Sequence, residues 1–202
     1  MSGLDRVLAH SDIARLAHTL AERPGARLAL PEPQRRAAVA LILRVGGDGE
    51  LALLMIKRAT FEGDPWSGHV ALPGGRHEPA DASLEATATR ETREETAVDL
   101  VSHGRVLGSL DDLHPRTPVL PPIVITPFVF VLAGEADLAP SHEVESVFWV
   151  PLAALRDPAA SREVELELTG GPRRVSSFRY REHTIWGLTE RVLRELLDRL
   201  DA

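Results

Sequence analysis

Residues 72–98 read LPGGRHEPADASLEATATRETREETAV: a glycine turn, a connector and an acidic segment with no helix breaker between Ser83 and Thr96. Pro79 and Asp81 stand where a helix begins, so the spacing predicts a helix from about Ala82 to Thr96. Glu91, Glu94 and Glu95 fall at i, i+3 and i+4, which places three carboxylates on one face. Followed back one or two turns, that face carries Leu84, Thr87 and Ala88. The acids therefore prolong a stripe expected to point into the protein.

Such a cluster is unfavourable twice, because like charges repel and because carboxylates in a last helical turn oppose the negative end of the helix dipole. A bound cation answers both objections. Hard oxygen ligands at this density suit magnesium or manganese, and magnesium held by a few carboxylates keeps waters and takes substrate phosphates as its remaining ligands. The simpler reading is a solvated Glu/Arg face on which Arg90 pairs with Glu94 at i+4. Spacing alone leaves the two open.

Gly75, the run Arg90-Glu91-Thr92-Arg93-Glu94-Glu95 and Val98 resemble the Nudix box, the loop-helix-loop signature of Nudix hydrolases. The resemblance implies an α/β fold with a mixed sheet between helices, and metal-dependent hydrolysis of a diphosphate linked to a nucleoside. Glu91, Glu94 and Glu95 would hold magnesium or manganese, with Arg90 orienting them. Two positions depart from the signature: Asp81 stands where its first Glu is usual, with one extra residue before Arg90, and Ala97 replaces the glycine that eases the turn out of the helix. The Asp with its extra residue is similar to the coenzyme A pyrophosphatase branch.

Upstream, Leu53, Leu54, Arg58, Ala59, Gly68, Pro73, Gly74 and Gly75 match the frame of an extended signature of that branch. Where the branch carries a second basic residue this chain has Gly63-Asp64-Pro65-Trp66, and Leu72 replaces its Phe. The resemblance puts Arg58, Trp66, Gly74 and Gly75 on the substrate side. Trp66 either stacks on a base or anchors its loop. Gly74 and Gly75 let the backbone approach metal or phosphate, or form an ordinary turn. Glu143 lies before a short strand, where many Nudix hydrolases carry a Glu that helps with metal or base chemistry. The expected substrate is coenzyme A or a derivative, with ADP-ribose, nucleotide sugars and dinucleotides as the nearest rivals. A non-catalytic nucleotide sensor would be marked by loss of a box carboxylate, and all three are present.

With 202 residues, 44% of them hydrophobic, and no linker-like tract, the chain can bury one substantial core. A single domain over 1–202 is expected, its Nudix core at about 36–198. A formal charge of −7 without any Lys/Arg run argues against nucleic acid as partner, yet leaves a small phosphorylated ligand possible through a metal. Zero cysteines exclude disulfides. No membrane span or secretion signal is apparent, so a cytoplasmic enzyme is the default expectation, with a homodimer as a possible assembly.

Ser11 to Glu22 reads as an amphipathic helix capped by Ser11 or Asp12 and stopped by Pro24-Gly25. Ala37–Arg44 and Leu51–Arg58 flank Gly46-Gly47-Asp48-Gly49 as a hairpin of nearly continuous apolar strands, which calls for cover on both faces. Ala59 to Val70 suits a loop over the site. Arg105–Leu113, Ile123–Leu132 and Ser146–Val150 read as further strands, with Trp149 in the core. His114 and Arg116 are candidates for phosphate contact or for solvent. Glu163–Leu168 and Arg173–Tyr180 form a half-exposed hairpin, and Ile185 to Leu200 a closing amphipathic helix.

Overall fold

A computed structural model describes residues 3–29, 35–61, 67–115, 122–168 and 171–202 of the chain. Two helices, α1 (Gly3–Leu8) and α2 (Ser11–Glu22), lead into strands β1 (Arg35–Val45), β2 (Leu51–Arg58), β3 (Val70–Ala71) and β4 (Gly74–Arg76), then helix α3 (Leu84–Thr96). After α4 (Leu100–His103) come β5 (Gly104–Ser109), β6 (Ile123–Leu132), β7 (Val144–Pro151) and α5 (Leu152–Arg156). A 3-10 turn at Pro158–Ala160 precedes β8 (Ser161–Leu168), β9 (Gly171–Tyr180), β10 (His183–Trp186) and α6 (Gly187–Asp201).

Seven strands form one mixed sheet with the path β3-β2-β1-β6-β5, to which β4 adds on β1 and β7 on β2. Among the described strands only β1 and β6 run parallel; β1 pairs with β2 at Leu43–Val45 and with β4 at Ala37–Val39. One strand thus serves two antiparallel neighbours in turn. That division brings the Gly-Gly turn into the sheet, directly under α3. The alternation of β1 and β2 feeds two cores: Leu41, Leu43, Leu53 and Met55 pack on the side of α2 and α6, whereas Ala40, Ile42 and Leu54 pack on the side of α3 and α4. Both strands are covered on both faces, as their apolar runs require.

Several boundaries differ from expectation. α2 is capped by the His10 ring, which accepts from the Asp12 N–H, and not by Ser11 or Asp12. Strand β5 ends at Ser109, because the next carbonyl, that of Leu110, is taken by Arg27 and the Ser109 carbonyl by the Gly25 N–H. Gly25 lies so close there that a Cβ would stand 2.0 Å from the Leu110 oxygen. The closing helix starts at Gly187, two residues late, since Ile185 and Trp186 pair with Phe178 and Ser177 as the edge of a separate three-stranded sheet. Gly187 makes the turn into α6 with φ of +69°. Trp149 is only half-buried, its ring lying 4.1 Å beneath the Arg44 guanidinium. Among the described residues, no helix is long and apolar enough to cross a membrane.

Candidate active site

The site is assembled where β4 lies between β1 and α3. Gly74, at φ +151°, approaches β1 so closely that a Cβ would stand 2.3 Å from the Ala38 carbonyl oxygen. Its N–H donates to a Glu95 carboxylate oxygen at 2.9 Å. A Cβ on Gly75 would sit 2.4 Å from Glu91 Oε1. Each glycine therefore makes room for one partner of the site: Gly74 for the neighbouring strand, Gly75 for a carboxylate.

Helix α3 is capped by the Ser83 hydroxyl, which accepts from the Ala86 N–H, and it ends with Ala97 in the left-handed region at φ +64°. Its buried face carries Thr87, Ala88, Thr92, Glu95 and Thr96. The three box glutamates do not share one environment. Glu95 is 5% exposed, the Glu91 side chain 18% and the Glu94 side chain 58%. Burial pushes the Glu95 carboxyl up to about 7; the Gly74 N–H and Arg58 act against this, and the charges of Glu91 and Glu143 add to it. Glu91 is raised too, chiefly by burial, with Arg90 opposing and Glu94 and Glu143 reinforcing the shift.

Arg90 uses all three nitrogens of its guanidinium. Nε and Nη2 grip the two oxygens of Asp81 at 2.9 and 3.1 Å, Nη2 also donates to the Arg76 carbonyl at 3.1 Å, and Nη1 lies 3.0 Å from both Glu91 and Glu94. Asp81 in turn accepts from the Glu78 N–H and the Thr87 hydroxyl. The Arg90 hydrogen bonds, with that of the Glu78 amide next, hold the Asp81 carboxyl well below the usual carboxylate range. Nine residues separate Asp81 from Arg90, so neither helical spacing nor turn chemistry announces the pair. In the sequence, Asp81 with its extra residue marks a resemblance to one branch of the family and assigns the side chain no partner. It is the anchor of Arg90.

The Glu143 loop is tied to the same helix. Ser141 and Ala139 donate their N–H groups to the Glu95 and Thr96 carbonyls, and the Ala59 N–H donates to the Glu143 carbonyl, beside the pairing of Arg58 with Val144. Arg58, Glu91, Glu95 and Glu143 are thereby gathered at one place. Among the described residues, no group of three or more Asp, Glu or His side chains is arranged so as to hold a metal ion. Their chemistry nevertheless fits a hard divalent cation: burial first, and then the charges of neighbouring glutamates, push Glu91 and Glu95 toward the neutral acid, and oxygen is their only donor atom. Trp66, with Gly63-Asp64-Pro65, and Arg116 lie outside the described residues. His114 is half-buried and its Nδ1 is bonded to the Ile123 carbonyl.

The family model for the NUDIX domain matches residues 33–169. An uncharacterized Nudix hydrolase, NudL, from Photorhabdus laumondii is 31% identical over 183 residues, 87% of this chain and 94% of that protein. An uncharacterized protein of Schizosaccharomyces pombe is 32% identical over 67% of this chain but only 47% of its own length, so the chain spans about half of that relative. A MutT/nudix family protein from Enterococcus faecalis shares the fold, with a TM-score of 0.58 at 19% identity over 94% of this chain and 69% of that one.

Proposed function

The chain belongs to the Nudix hydrolases, enzymes acting on diphosphate bonds, and from that membership we propose that it cleaves the diphosphate of coenzyme A or a close derivative. The observation that carries the site assignment is the setting of Glu91 and Glu95 against the Gly74-Gly75 turn, with Glu143 close enough for its charge to raise both carboxyls. Glu91, Glu94 and Glu95 would hold magnesium or manganese, which supplies charge neutralisation on the phosphates and acidifies an attacking water. Glu143 would accept a proton from that water, its loop being fastened to both α3 and β2. Arg58, set beside Glu95, would meet the negative charge of the phosphates.

In this reading water adds at one phosphorus, the bond from that phosphorus to the bridging oxygen breaks, and 3′,5′-ADP leaves from 4′-phosphopantetheine. The branch frame at Leu53, Leu54, Arg58, Ala59 and Gly68 supports coenzyme A. Asp64, where the branch carries a basic residue, favours a rival diphosphate such as ADP-ribose.

The test is phosphate release, after a coupled phosphatase, from coenzyme A, its acyl forms, ADP-ribose, NADH and dinucleoside polyphosphates with either metal. Preference for coenzyme A supports the proposal. Preference for another member of the panel redirects the substrate while leaving the chemistry intact, and silence across it favours a nucleotide-binding module.

A further inference from the structure

Arg90 transmits position. Its bidentate grip on Asp81 sets the plane of the guanidinium, and that plane sets where Nη1 meets Glu91 and Glu94. Asp81 is therefore as decisive as Arg90, and the Asp81 side chain is 6% exposed. Beneath it stands Thr87, fully buried on the first turn of α3. The Thr87 hydroxyl lies 2.9 Å from Asp81 Oδ2, 2.9 Å from His77 Nδ1 and 3.2 Å from the Ser83 carbonyl. A hydroxyl has one proton to give, and the anionic carboxylate is the stronger acceptor. His77 must then donate from Nδ1 to the Thr87 oxygen. The result is a directed chain, His77 to Thr87 to Asp81, ending on the fork of Arg90.

We propose that Thr87 and His77 are positioning residues for the cation carboxylates, acting through Asp81 and Arg90 on Glu91 and Glu94. The inference rests on the reading that these glutamates serve a divalent cation. Neither residue touches a glutamate itself in the contacts described. Their effect is on orientation, as partners behind first ligands commonly have. Thr87 and Asp81 are six residues apart and His77 and Thr87 ten, so the chain fastens the loop after β4 to the helix and does more than cap it.

The experiment titrates manganese alone into the full-length protein and reads free ion by electron paramagnetic resonance, with thermal melts in parallel. Thr87→Val, which keeps the shape and deletes the hydroxyl, should weaken manganese binding about tenfold, the order seen for outer-shell partners, while Thr87→Ser stays within about twofold of wild type. At the exposed end of the chain, His77→Ala should weaken binding about threefold and His77→Asn, whose amide can replace Nδ1–H, should restore it. Wild-type affinity in Thr87→Val and His77→Ala, with only lowered melting temperatures, overturns the proposal and leaves the cation site standing, provided Glu95→Gln loses the ion. If Glu95→Gln binds manganese as wild type does, the cation reading falls and this inference with it.

Discussion

Helices α3 and α6 are similar in length and lie against opposite cores of the same sheet, yet α6 buries a mainly apolar face and α3 a mainly polar one. α6 turns Val192, Leu193, Leu196 and Leu200 inward together with Glu190 and one fully buried cation, Arg199, whose Nη atoms meet the Arg23 carbonyl, Asp111 and Glu195 while its Nε has no hydrogen-bond partner among the described residues. α3 turns inward Thr87, Thr92, Thr96 and Glu95, leaves the Thr92 hydroxyl without a hydrogen-bond partner among the described residues and ends on a non-glycine residue in left-handed backbone. Burial of an unpaired hydroxyl, a raised carboxyl and a strained cap all work against folding. The contrast teaches that α6 is selected for packing and α3 for what its polar face does, with the surrounding structure supplying the stability that α3 lacks.

The sharpest way to break this contrast is to exchange the expected symptoms. Glu95→Gln should lower kcat at least about a thousandfold, as loss of a cation ligand does, while thermal stability rises or holds. Turnover within a few-fold of wild type in a folded protein would remove Glu95 from the chemistry. Leu196→Ala on α6 should do the reverse, costing about 2–5 kcal/mol in denaturant unfolding, with kcat and KM of the folded fraction unchanged. A catalytic defect there without loss of stability would mean that α6 reaches the site.

The pH dependence sharpens the same point. Glu95 binds its proton more tightly folded, at about 7, than unfolded, at 4.5. Between those values the native state holds more protons, so stability must fall as pH rises through about 4.5 to 7. In EDTA the loss should amount to at most about 3 kcal/mol, and Glu91, Glu143, Arg58 and the Gly74 N–H all face the group that sets it. Saturating manganese, or Glu95→Gln, should flatten the slope; an unchanged slope in Glu95→Gln would place the titration elsewhere. The smallest effect concerns the cap: Ala97→Gly should raise stability by about 0.5–1 kcal/mol without altering kcat, because glycine takes positive φ without the Cβ conflict. A decrease would show that the Ala97 methyl packs usefully.

Much of the fold was legible because its elements carry local periodicity. The span of α2 and that of β6 match their sequence-based ranges to the residue, and β1 with β2 flanks the glycine turn as their apolar runs require. What escaped was set by partners far away in the chain. β5 stops where the arm at Gly25 and Arg27 captures its carbonyls, and Ile185-Trp186 becomes a strand because β9 offers an edge. Helical periodicity continues smoothly through both residues, and nothing local marks the change until Gly187.

The amino-acid sequence by itself determined the box helix, its three glutamates and the glycine pair before it, since these depend on spacing within one short stretch. Only the tertiary structure decided which carboxylates are buried: Glu95 is forced inward by the approach of Gly74, Glu91 fits the space that Gly75 leaves, and Glu94 stays at the solvent edge. Tertiary structure also decided that Asp81, Thr87 and His77 stand behind Arg90. The reason is physical: helical spacing specifies a face, but burial and hydrogen-bond partners depend on the backbone that packs against that face, and here it comes from β4 and from the loop that follows it.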